Sequence, residues 1–219
     1  MEETHVSHGR SERYVLELRN ESAHLYNLCV YQTLPERMEE IRSVVCFSMR
    51  CHPGTRTTFE WSGDARFIWA RMTKLRAGEF CRAAQDWPCD AMDGASNGVS
   101  LIRECGAYRF EHAEQKTPSG SICIYTDGTI PNGQLAAGLG LRVFDDGRLR
   151  CLPTLVAEAV PNFSRILMPS TQLWATFGHY EVGEILDLAL VNNPVRIDFP
   201  MDVYALTATL DERNEWLVG

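Results

Sequence analysis

Residues 14–33 read YVLELRNESAHLYNLCVYQT, and this stretch decides the fold class. Tyr14, Leu16 and Leu18 alternate with Glu17 and Arg19, the two-residue period of a strand with one buried face. Asn20-Glu21-Ser22 supplies turn chemistry, because short polar side chains there bond back to the nearby backbone. Leu25 to Thr33 then runs apolar on both faces, as a central strand between two layers would.

Outward from this pair the pattern repeats about every ten residues. Strands are predicted over Ser43–Arg50, Thr55–Trp61, Arg66–Arg71, Gly106–Phe110 and Ser121–Thr126. Further strands follow over Leu155–Ala159, Phe163–Met168, Leu173–Phe177, Glu184–Leu190, Val195–Phe199, Val203–Leu210 and Glu215–Val218. His52-Pro53-Gly54, Asp127-Gly128 and Asp145-Asp146-Gly147 carry turn residues, and residues 89–98 (CDAMDGASNG) read as a loop. Residues 35–41 (PERMEEI) offer a single helical turn, too short and too polar to anchor anything. No segment keeps a 3.6-residue stripe for three turns, and neither a linker nor an internal repeat divides the chain. The expected fold is all-β: a single-domain, two-layer antiparallel β-sandwich over residues 14–219 with little helix. Residues 1–13 are expected to form a disordered polar tail.

Composition narrows the function classes. Twenty-one Lys and Arg against 29 Asp and Glu leave a net charge of −8, the wrong sign for tracking phosphate backbones, so nucleic acid is not an expected partner. No apolar run approaches the roughly 18 residues a membrane span needs, so membrane insertion is not expected. The N-terminal MEETHVSHGRSER lacks the apolar centre of an export signal, which implies a cytoplasmic chain with reduced thiols. The eight cysteines are scattered without a C-x-x-C pair or a histidine at zinc spacing, and His5 and His8 lie in the polar tail. Several cysteines sit in apolar runs (LCVY, VVCF, ICIY) and read as small core hydrophobes; Cys51 and Cys89, beside loop prolines, are the expected exposed thiols. Asp90, Asp93 and Asn97 miss the spacing of a calcium loop. No metal and no cofactor is expected.

The motifs of the common enzyme classes are absent: G-x-S-x-G, the Walker phosphate loop and H-E-x-x-H. Residues 135–141 (LAAGLGL) hold a G-x-G that reads as strand twist rather than a nucleotide site. Five tryptophans and seven tyrosines could line a pocket for a flat, apolar molecule, or simply fill a sandwich core. His179-Tyr180-Glu181, at the end of a predicted strand, is the densest group of acid–base side chains, and His52 in its turn is the second candidate. Asp187, inside the apolar EILDLAL, reads as a buried carboxylate, either a structural anchor or a functional acid.

Taken together, "LRNES…LCVYQT", "HPGTRTTFEW", "RFIWA", "GAYRF", "YTDGTIP", "LWATFGHYEVGEILDL", "NPVRIDFP" and "VYALTATLDERNEWLV" come in an order that resembles the RhiA family, over about Tyr14 to Val218. The resemblance implies a soluble single domain associated with cell-density control or specialised metabolism. It brings no catalytic motif, so no active-site residue is carried over. Two places depart from the family pattern: Ala65 stands where an aromatic residue is expected, and Ser170-Thr171-Gln172-Leu173 replaces a stretch bearing histidine, proline and tyrosine. A small residue near Trp69 could open a cavity.

Two functions fit. In one, the protein is a cofactor-independent enzyme of specialised metabolism that folds a hydrophobic or aromatic small molecule in an aromatic pocket, promoting cyclisation, isomerisation or dehydration. His179 or His52 would move the proton and Arg71 would stabilise negative charge. Trp69, Trp174 and Tyr180 would form the walls, with Trp61 and Tyr31 as further contacts. In the other, the same aromatics belong to a non-catalytic binding or interaction module. The oligomeric state is open.

Overall fold

A computed structural model describes residues 12–36, 38–72, 74–145, 148–167 and 171–219. Most of the expected tail, with His5 and His8, lies outside the described residues, as do Met168 and the Asp146-Gly147 turn. The strands are β1 Arg13–Asn20, β2 Tyr26–Thr33, β3 Arg42–Ser43, β4 Val45–Cys51, β5 Thr55–Arg71, β6 Gln85–Pro88, β7 Gly98–Glu104 and β8 Ala107–His112. They continue as β9 Ile122–Thr126, β10 Leu135–Asp145, β11 Arg148–Glu158, β12 Phe163–Leu167, β13 Gln172–Gly178, β14 Val195–Ile197, β15 Ala205–Leu210 and β16 Trp216–Val218. The fold is all-β, and the described residues contain no helix.

The layering is more elaborate than one pair of antiparallel sheets. A large sheet runs β16-β15-β1-β5-β10-β11-β3, with β6 added beside β5, and two four-stranded sheets run β14-β13-β2-β4 and β12-β9-β7-β8. Two pairings are parallel, β1 with β15 and β7 with β9. The 17-residue β5 explains the architecture, because its two halves serve different cores. Phe59 and Trp61 pack with Leu16, Leu18, Leu28, Phe47 and Phe177 against the β2 sheet. Phe67 and Trp69 pack with Val99, Leu101, Ile122 and Ile124 against the β9 sheet. The sequence suggests a break between Trp61 and Arg66; the strand instead runs through, and Gly63 and Ala65 thin its side chains there.

The expected twist at residues 135–141 has a steric cause. A Cβ at Gly138 would lie 1.9 Å from the Leu155 carbonyl oxygen, and one at Gly140 would lie 2.7 Å from that of Leu152. The register of β10 against β11 slips between Leu139 and Gly140, so bare backbone lets the two long strands close on each other through the bulge.

Four expectations need correction. Glu184–Leu190 is not a strand: Glu184 and Ile185 make isolated bridges to Phe80 and Val44, and the chain then turns. Its alternating apolar residues serve two separate cores, Ile185 beneath the large sheet and Leu186 on the outer face of the β2 sheet. Asp187 is exposed there, accepting a hydrogen bond from the Ala189 N–H at 3.1 Å. The described part of residues 35–41 holds bends and a turn, because its charged side chains offer no apolar face to dock. Finally, Cys51 is buried and Cys89 half-buried, whereas Cys105, in a left-handed turn with φ 49°, is the exposed thiol.

Candidate functional site

Sequence reasoning proposed one pocket; the structure distributes its residues over several places. Tyr31 and Trp174 sit opposite each other on β2 and β13 and stack with centroids 6.5 Å apart. Tyr180 joins them under the 186–191 segment, on the face of that sheet turned away from the main core. The Trp174 indole N–H donates to Thr33 Oγ1 at 3.0 Å. Burial pushes the Tyr31 hydroxyl up to about 12, with Tyr180 adding to the shift. Gly178 makes this arrangement possible: a Cβ there would lie 2.8 Å from the Tyr180 ring, so the glycine lets the chain fold Tyr180 back against its own strand.

Trp69 belongs to the other core. Its N–H donates to Gln85 Oε1 at 2.9 Å, and its ring meets Tyr108 edge-on at 5.7 Å. Arg71, two residues along the strand, is exposed and lies over the same Tyr108 ring at 5.3 Å, with Arg103 at 5.5 Å. His52 is exposed in its turn, where its carbonyl accepts from the Thr55 N–H and hydroxyl. His179 is also exposed, in an open groove of about 590 Å³ shared with Asn27, Ser48, Arg50 and Glu181. Among the described residues, Trp69 and Trp174 therefore belong to separate cores, and both histidines are exposed outside them.

Of the proposed aromatics, Trp61 lines a half-open site. A cavity of about 330 Å³ opens where β5 crosses from the first core to the second. Trp61, Tyr14 and Phe199 form its aromatic wall: Tyr14 stacks on Trp61 at 5.7 Å, and Phe199 meets both rings edge-on at 5.1 and 5.7 Å. Leu139, Leu141 and Leu173 supply aliphatic surface, and Ala65 and Gly63 supply space. Both stretches noted as departures from the family pattern, Ala65 and residues 171–173, line this one cavity.

Two polar groups in that lining make no hydrogen bond with any described residue. Gln32 is 7% exposed, and its side-chain amide makes no hydrogen bond with any described residue. The indole N–H of Trp61, 5% exposed, is likewise unengaged. Neither atom is sealed from solvent, so both can offer hydrogen bonds to a molecule entering the cavity, beside Thr171, Gln172 and Asp198 of the same lining. At the mouth, the Tyr14 and Tyr204 hydroxyls both donate to the Glu12 carboxylate, at 3.1 and 2.9 Å. That carboxylate and partial burial hold the Tyr14 hydroxyl above its ordinary value.

Gln32, Tyr14 and Phe199 were missed as site residues. One signal was available: Gln32 is a polar residue near the end of a strand otherwise apolar on both faces. Nothing in the sequence placed Phe199 beside Trp61, because that contact joins β5 to the chain after β14, far apart in sequence.

Comparison with known proteins decides the lineage, since residues 11–219 match the RhiA family. The chain belongs to the RhiA family. It is 25% identical over 211 residues to Protein RhiA of Rhizobium leguminosarum bv. viciae, covering 95% of this chain and 87% of that protein. No solved structure matches it. This RhiA-family chain holds no group of three His, Cys, Asp or Glu suited to a metal ion among its described residues. Among those residues there is also no helix long and apolar enough to cross a membrane.

Proposed function

We propose that this RhiA-family protein binds a flat, largely apolar small molecule in the cavity between Trp61, Tyr14 and Phe199. The observation that carries the reading is the aromatic wall of Trp61, Tyr14 and Phe199 beside a Gln32 amide and a Trp61 N–H that bond to no described residue, in a lining that also holds Thr171, Gln172 and Asp198. The ligand they suit has an aromatic or hydrophobic body with one hydrogen-bonding oxygen or nitrogen. The test uses N-phenyl-1-naphthylamine, a neutral flat fluorophore, as probe. Ala65→Phe would fill the cavity and is expected to weaken probe binding about tenfold or more, with melting unchanged or raised. Gln32→Leu should retain the probe, which carries little hydrogen-bonding demand, and lose selectivity for carbonyl-bearing analogues. Probe binding by Ala65→Phe at wild-type strength would remove the cavity from consideration.

The enzymatic reading rests on a different place. His179 makes no hydrogen bond or ion pair with a described residue and shares its groove with Glu181 and Arg50, placing an imidazole, a carboxylate and a cation within one recess. Cofactor-free proton transfer on a hydrophobic substrate of specialised metabolism would be carried there by His179. His179→Ala should then lower turnover by about 10²-fold, with melting unchanged because the side chain is exposed.

A further inference from the structure

A second recess, remote in character from the aromatic cavity, has the opposite polarity to the chain as a whole. It lies between β3, the chain leaving β5 and β12, with a volume of about 530 Å³. Arg42, Lys74, Arg76 and Arg165 line it, together with Glu40 and Glu158. Both carboxylates are already engaged. Glu40 takes the Arg165 guanidinium at 3.0 Å, and Glu158 accepts the Gly133 N–H at 3.0 Å. Arg165 is itself well fixed, with a side chain 12% exposed and its guanidinium over the Phe163 ring at 5.2 Å.

Arg42, Lys74 and Arg76 have no carboxylate of a described residue within ion-pairing distance. Three free cations converge on one recess in a protein of net charge −8 that has only two lysines. Surface cations of an acidic protein ordinarily find acidic neighbours, so their isolation here leaves a local field that attracts anions. The rest of the lining is apolar: Met72, Leu75, Leu135, Val160 and Phe163, the last a large side chain left 43% exposed. A bare inorganic ion would leave that surface wet.

We propose that this recess binds an organic oxyanion, a carboxylate or phosphate carried on a short apolar stem. Arg42, Lys74 and Arg76 would hold the oxyanion by charge-assisted hydrogen bonds. The stem would lie along Leu75 and Val160 against Phe163. Arg165, braced by Glu40, would form the fixed floor.

Titration calorimetry with hexanoate, hexyl phosphate and neutral hexanol tests this on the intact chain. At least one of the two anions should bind, and the stronger of them identifies the headgroup. Lys74→Gln/Arg76→Gln, both at exposed positions, should lose about tenfold or more in affinity while keeping wild-type melting. Arg213→Gln, an exposed cation in the turn before β16, and Arg82→Gln/Arg213→Gln, which removes the same two charges outside the recess, serve as the controls for net charge and should bind as wild type. The proposal is overturned if neither anion binds, if hexanol binds as well as the anions, or if the double variant binds undiminished. An equal loss in either control would also overturn it, showing that overall charge rather than the recess attracts the probe.

Discussion

Asn20 is fully buried, yet its side chain is satisfied on every side. Its amide nitrogen donates to the carbonyls of His24 at 2.8 Å and Cys51 at 2.9 Å, and its oxygen accepts from the Ser22 N–H and hydroxyl at 3.1 and 2.6 Å. One side chain thereby ties the turn after β1 to the end of β4. Asn20→Ala should strand the buried Cys51 carbonyl and Ser22 N–H and cost about 3 kcal/mol, read as a lower denaturation midpoint with an unchanged slope. A loss below about 1 kcal/mol would show that water replaces the amide without penalty. The sequence announced Asn20-Glu21-Ser22 as a turn, because turn chemistry is local. The bond to Cys51 was illegible, since it depends on where a strand thirty residues later comes to lie.

At the scale of elements, period and parity were legible and partners were not. The alternation along β13 places Leu173, Ala175 and Phe177 in the main core and Trp174 on the other face, as the two-residue period requires. The same alternation could not say that Trp174 would stack on Tyr31 while Trp69 joined a different core. Nor could it distinguish a strand over Glu184–Leu190 from an irregular cover, because both bury alternate residues. That cover is held by the Tyr180 carbonyl, which accepts from the Ser48 hydroxyl at 2.7 Å and the Asn27 amide at 3.1 Å. Tyr180→Ala keeps those backbone contacts but removes the ring that closes over Tyr31 and Trp174. It should cost about 2–3 kcal/mol and make Trp174 readily quenched by acrylamide. Unchanged quenching would mean that the segment stays seated without the ring. The aromatic cavity was the least legible feature, because its lining joins β1, β2, β5, β10, β13 and β14 across the fold.

Across the whole molecule, the cysteines couple all the cores to pH. Burial pushes the thiols of Cys29, Cys81, Cys89 and Cys151 up to about 12 from an ordinary value near 9, and Cys46, sealed in the main core, rises further. Each stays protonated in the folded chain long after it would ionise in the unfolded one. Below pH 9 both states hold the proton and the thiols leave stability independent of pH. Between pH 9 and about 12 the unfolded state binds fewer protons than the folded state, so stability falls as pH rises. Each fully shifted thiol contributes a slope of about 1.4 kcal/mol per pH unit in that window. Melting should therefore change little from pH 7 to 8 and drop steeply by pH 10.5, with roughly five thiol protons released on unfolding at the higher pH and the raised Tyr31 hydroxyl adding to them. Cys29→Ala should lower that release by about one proton, whatever its effect on stability at neutral pH. Replacing the exposed Cys105 by Ala should leave the alkaline limb untouched, since the loss arises from thiols withdrawn from water by the packing of the sheets. An alkaline limb of equal slope in both variants would place its origin outside the buried thiols.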